Sequence, residues 1–100
     1  MSNVSIEFPP GFDDYEWEVE SKGWLQGVVA TIDGRRYPLT FYERTRLSQD
    51  VEEELARGPG FFEPNLIVVR SVTREHIESS VAAIVATGRH KALVPEPPLP

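Results

Sequence analysis

The stretch DDYEWEVES, residues 13–21, sets carboxylates and bulky side chains on alternate positions. Asp14, Glu16, Glu18 and Glu20 share one parity; Tyr15, Trp17 and Val19 share the other. Read as a β-strand, this segment projects Glu16, Glu18 and Glu20 from one face at spacings of roughly 6.6 Å. Such a row has two uses. It can meet a basic surface, or it can keep a sheet face wetted and discourage edge pairing. Other groups with chemical potential are sparse. His76 follows Thr73 at the start of an expected helix, near Glu75 and Glu78, where it could act as a base. Ser79-Ser80 lacks the context of a nucleophile elbow. His76 and His90 lie in distant segments without metal-ligand spacing, so neither a metal nor another cofactor is expected. The GPG of residues 58–60 neither follows a strand nor opens a basic helix, as a phosphate loop would.

The charge is unevenly distributed. The chain of 100 residues carries 16 acids, 10 Lys and Arg residues and a net charge of −6. Residues 1–20 contain Glu7, Asp13, Asp14, Glu16, Glu18 and Glu20 without a Lys or Arg, so the whole excess comes from the first fifth of the chain. That balance disfavours nucleic acid and anionic membranes as direct partners. With no cysteine, disulfides, thiolate metal sites and cysteine nucleophiles are excluded. No apolar run has the length of a membrane span, and residues 1–11 lack the basic and apolar regions of a secretory signal. A cytoplasmic location is expected.

The elements that must position these groups read as β-β-β-α-β-α. Residues 1–12 form a lead-in segment, with VSIEF as a short strand candidate before Pro9-Pro10-Gly11. A single α+β domain is expected over 13–91, and a Pro-rich flexible tail over 92–100. Tyr15–Ser21, Trp24–Ile32 and Arg35–Tyr42 predict a three-stranded antiparallel meander, turning at Lys22-Gly23 and Asp33-Gly34. The second turn pairs Ala30 with Tyr37, Val28 with Leu39 and Gln26 with Phe41. The first brings Tyr15 and Trp17 onto the same face, so Trp17→Ala is expected to cost about 3–5 kcal/mol. Pro38, facing Val29, suits an edge, which places a fourth strand beside the first. Leu47, Val51 and Leu55 predict a helix capped by Ser48 and stopped by Gly58-Pro59. The run LIVVRSV predicts a strand buried on both faces or lying centrally. Thr73 caps a second helix, with Val72 and Ile77 spaced as a hydrophobic staple and Gly88 beyond its end. Both helices are expected on one face of the sheet.

This arrangement leaves Leu25, Val29, Pro38 and Tyr42 on the outer sheet face beside the acidic strand, with Phe61 and Phe62 in a loop. The expected binding residues are therefore Asp14, Glu16, Glu18, Glu20, Leu25, Tyr42, Phe61 and Phe62. The composition predicts a small acidic protein that binds rather than catalyses, docking a basic protein partner in the manner of an antidote, immunity or accessory protein. The first alternative is a structural or regulatory subunit that forms a homodimer through the exposed sheet face. The second is an enzyme built on His76.

Overall fold

A computed structural model describes residues 3–97. It shows an α+β fold around one four-stranded, mostly antiparallel sheet. The strands are β1 (Val4–Glu7), β2 (Trp24–Ile32), β3 (Arg35–Glu43) and β4 (Leu66–Val69), in spatial order β1-β2-β3-β4. The helices are α1 (Phe12–Lys22), α2 (Arg44–Arg57) and α3 (Arg74–Ala86), with a short 3-10 turn at Arg89–Ala92.

The β2–β3 hairpin forms as the sequence predicts. Asp33 and Gly34 both adopt positive φ, as a type I′ turn requires. Ala30 pairs with Tyr37, Val28 with Leu39 and Val29 with Pro38. Beyond Val28 the register shifts. Gly27, at φ 93°, sits in the irregularity between Gln26 and Val28, so Leu25 rather than Gln26 opposes Phe41. The bulge thereby turns Leu25 from the outer face, where it was expected, into the core at 6% exposure.

The acidic segment is a helix, which corrects the expected first strand. Phe12, Tyr15 and Val19 lie three and four residues apart, and Phe12 and Val19 are buried while Tyr15 packs against the core. Glu is a good helix former and a poor strand former. Gly11 and Gly23, both left-handed, bracket the element. The Gly23 N–H donates to the Val19 carbonyl at 2.9 Å, so Lys22-Gly23 is a helix stop rather than a hairpin turn. Tyr15 departs from helical geometry and kinks α1 after its first turn. Trp17, expected in the core, is 67% exposed.

Residues 4–7, within the lead-in segment, supply the strand beside β2: Val4 pairs with Ile32 and Ile6 with Ala30. The fourth strand joins the other side. β4 runs parallel to β3, Leu66 opposite Thr40 and Val69 opposite Glu43, with α2 in the crossover that parallel pairing needs. It is an edge strand with Val68 exposed, not a central one. Pro38 is accommodated because β4 starts at Leu66 and does not reach it. Asn65, in the left-handed region, instead donates its amide to the Pro38 carbonyl at 2.8 Å.

α1 and α3 bury Phe12, Val19, Ile77 and Val81 with the Val28, Ala30, Leu39 and Phe41 face of the sheet. Val72 and Ile77 are both fully buried around the Thr73 cap, in the spacing of a staple. α2 approaches the opposite face, which differs from the expectation of two helices on one side. It starts at Arg44, not after Ser48, because the Glu43 carboxylate accepts from the Thr45 and Arg46 N–H groups. That bonding, led by Thr45, holds Glu43 below the ordinary carboxylate value.

The tail is tethered where it is described. Val94 exchanges two hydrogen bonds with the Asn65 side chain, at 2.7 and 2.8 Å. The Glu96 N–H donates to the Arg36 carbonyl at 2.8 Å, on the stretch of β3 that β4 leaves unpaired. Residues 98–100 of the expected flexible tail lie outside the described residues. Truncation after Leu93 should cost about 1–2 kcal/mol, since these three hydrogen bonds and the exposed Arg36–Glu96 ion pair are lost; urea unfolding of the full and shortened chains measures it, and equal midpoints would show the tether to be idle.

Candidate functional site

The expected binding residues separate into three places. Leu25 is in the core and offers nothing to a partner. The acidic residues lie on α1. Tyr42, Phe61 and Phe62 meet at a cleft on the opposite side of the sheet.

On α1 part of the charge is used internally. The Arg74 N–H, at the first turn of α3, donates to Glu16 Oε2 at 2.8 Å, and the Arg74 guanidinium pairs with Asp13. The same guanidinium lies 4.1 Å from the Phe8 ring centroid, and Phe8 stacks on Phe12. These contacts clamp α1 onto α3. Glu7 pairs with Arg36 at 3.1 Å, and Arg36 also holds Glu96 at 2.9 Å. The two carboxylates raise the guanidinium's pKa, Glu96 first. Asp14, Glu18 and Glu20 are exposed around Trp17 and form no ion pair among the described residues.

The cleft, about 430 Å³ in volume, lies between α2 and the segment 61–63. Arg46, Asp50, Glu53 and Glu54 are spaced i, i+4, i+7 and i+8, so successive turns of α2 present them to one side. Tyr42, at the end of β3, is 5% exposed beneath Phe61, whose ring meets it edge-on at 6.3 Å. Its outer-face position is as expected, but its exposure is not: α2 and the loop cover it.

Polar contacts fix this floor. The Tyr42 hydroxyl donates to Asp50 Oδ2 at 2.8 Å, and Arg46 Nε donates to Asp50 Oδ1 at 3.0 Å. Arg46 Nη1 also donates to the Lys22 carbonyl at 3.1 Å, joining α2 to the end of α1. Burial, then the bond to Asp50, pushes the Tyr42 hydroxyl up to about 12. Burial opposes ionisation of Asp50, but Tyr42 and Arg46 overcome it and leave the carboxyl below its ordinary value. Thr40 Oγ1 donates to Glu63 Oε1 at 3.1 Å. Glu54 holds Arg57 at 2.7 Å on the exposed end of α2. Glu53 has no ion pair among the described residues. Phe62 is 85% exposed at the rim.

Four carboxylates thus line the cleft with one guanidinium, which is committed to Asp50; Arg57 holds Glu54 from outside the lining, and Glu53 and Glu63 are left without an ion pair among the described residues. An aromatic ring and free carboxylates are the donor set for an alkylammonium or guanidinium group. Asp50, Glu53, Glu54 and Glu63 were not among the expected residues. Their signal was the helical spacing after Tyr42, but Glu63 reaches them only through the β3–α2–β4 crossover.

His76 is engaged at its helix end. Its Nδ1 lies 2.7 Å from Ser71 Oγ, 3.1 Å from the Ser71 carbonyl and 3.3 Å from Thr73 Oγ1. Its backbone N–H donates to the Thr73 hydroxyl. Among the described residues no group of three or more His, Asp or Glu could hold a metal ion. Among them, too, no helix is long and apolar enough to cross a membrane. No family model, curated protein or solved structure matches the chain.

Proposed function

We propose that this is a small cytoplasmic binding protein that docks a basic segment of a protein partner, in an antidote, immunity-type or accessory role. The cleft between α2 and Phe61-Phe62-Glu63 receives a basic side chain of that segment. The observation that carries this reading is an exposed phenylalanine on a cleft where carboxylates outnumber cations four to one. Phe62 supplies a π face, Glu53 and Glu63 supply charge, and Tyr42 and Asp50 hold the floor rigid. Asp14, Glu18 and Glu20 on α1 extend the negative field and speed encounter.

The test is a titration of the full chain with an arginine-containing peptide and its citrulline counterpart, followed by amide chemical shifts. The arginine peptide should perturb residues 53–63 and bind more weakly as salt rises. Glu53→Gln with Glu63→Gln should weaken it about tenfold, as expected for losing charge-assisted contacts. Equal binding of both peptides, or shifts confined to other segments, would sink this assignment.

A further inference from the structure

The outer rim of β1 is unpaired among the described residues. At its start the Asp33 N–H donates to the Asn3 carbonyl, and the Asn3 N–H donates to the Asp33 carboxylate, each at 2.9 Å. Antiparallel ladders alternate, so Val4 and Ile6 direct their N–H and C=O groups away from β2. Two donors and two acceptors therefore face outward. The side chains of Val4 and Ile6 oppose buried Ile32 and Ala30 and lie on the core side of the sheet. There they join Val81, Ala82, Val85 and Ala86 of α3 around an apolar groove of about 260 Å³. Val4–Glu7 is protected only by being short: it carries no lysine, no proline and no bulge. Its one charge, Glu7, is held by Arg36.

We infer that a second copy of this chain occupies this face, pairing β1 with β1 across a two-fold axis at Ser5. Val4 then bonds to Ile6 of the partner subunit, using both outward donors and both acceptors on each side, and the two sheets continue as one. Charge admits a second copy here and opposes it at the other exposed apolar places. Trp17 sits among Asp14, Glu18 and Glu20, while Leu55 and Phe62 sit beside α2's acidic row. A second molecule of net charge −6 is repelled from both places. The β1–α3 groove has one carboxylate in its lining, Glu78. Here two acidic copies meet with their charge turned outward, and the contact is apolar and backbone-mediated. It is independent of the cleft, which stays open in the dimer.

Sedimentation equilibrium of the full chain tests this. The weight-average mass should rise with concentration from 11.3 kDa toward twice that value, and added salt should not reverse the rise. Ala82 is an exposed helical position. Ala82→Glu should keep the circular dichroism and melting profile yet weaken association by at least about tenfold, because each copy would bury an unpaired charge. Val4→Pro removes an outward N–H without touching the β1–β2 bonds and should act likewise. A monomer at every concentration up to about 1 mM overturns the proposal. So does a dimer that both variants leave unchanged.

Discussion

Phe41→Ala should remove about 3–5 kcal/mol of folding stability, whereas Trp17→Ala should change it by no more than about 0.5 kcal/mol. Both are large aromatic residues in segments that alternate in polarity, and only their surroundings separate them. Phe41 has no exposed surface and opposes Leu25 across the hairpin. Truncating it leaves a cavity that buried neighbours cannot fill without moving. Trp17 is two-thirds solvent-facing on α1, so truncation removes little packing. Urea denaturation at neutral pH distinguishes the two. A large loss on Trp17→Ala would restore the strand reading of residues 15–21 and displace the helix.

That contrast shows where the sequence was legible. Asp33-Gly34 dictates a turn with two positive-φ residues, and the alternation on both sides has only one register that buries Val28, Ala30, Tyr37 and Leu39 together. The reading ended at Gly27, because a one-residue bulge leaves no mark beyond a glycine with several other uses. Residues 13–21 misled for a different reason. Tyr15, Trp17 and Val19 satisfy a period of two, while Phe12, Tyr15 and Val19 satisfy the helical period equally well in so short a window. The capping glycines at 11 and 23 and the run of Glu should have decided between them. The strand on this side of β2 is instead Val4–Glu7, whose short alternation is weaker than that of residues 15–21 and is cut off by Pro9-Pro10-Gly11.

The cleft was half legible for a related reason. Tyr42, on the outer face of β3, and Phe61 and Phe62, adjacent in a loop, are legible as contact residues. Glu63 and the acidic side of α2 are not, since the chain returns to β3 only through a parallel crossover. Once that crossover is known, Thr40 and Tyr42 point at Glu63 and Asp50, and the surplus of carboxylate follows.

Tyr42 should make the fold sensitive to alkali. Its hydroxyl is raised from 10.0 to about 12 by burial and by the bond to Asp50. Between those two values the unfolded chain releases a proton that the native state keeps. The native state then binds more protons, and stability falls as pH rises through this window. The contribution is fully present below about pH 10, and its loss by about pH 12 is worth roughly 2–3 kcal/mol for a buried group. Asp50 behaves in the opposite sense: its lowered carboxyl supports the fold above the ordinary Asp value and withdraws that support as pH falls through the folded one. Absorbance at 295 nm should show one tyrosine ionising late, and Tyr42→Phe should abolish that step. The variant should start less stable by about 1.5–3 kcal/mol, having lost a hydrogen bond to a charged acceptor. Its stability should then vary much less between pH 10 and 12 than that of the parent chain. If both proteins lose stability equally over that interval, the Tyr42–Asp50 bond does not hold the cleft floor, and the rigid site on which docking depends is lost with it.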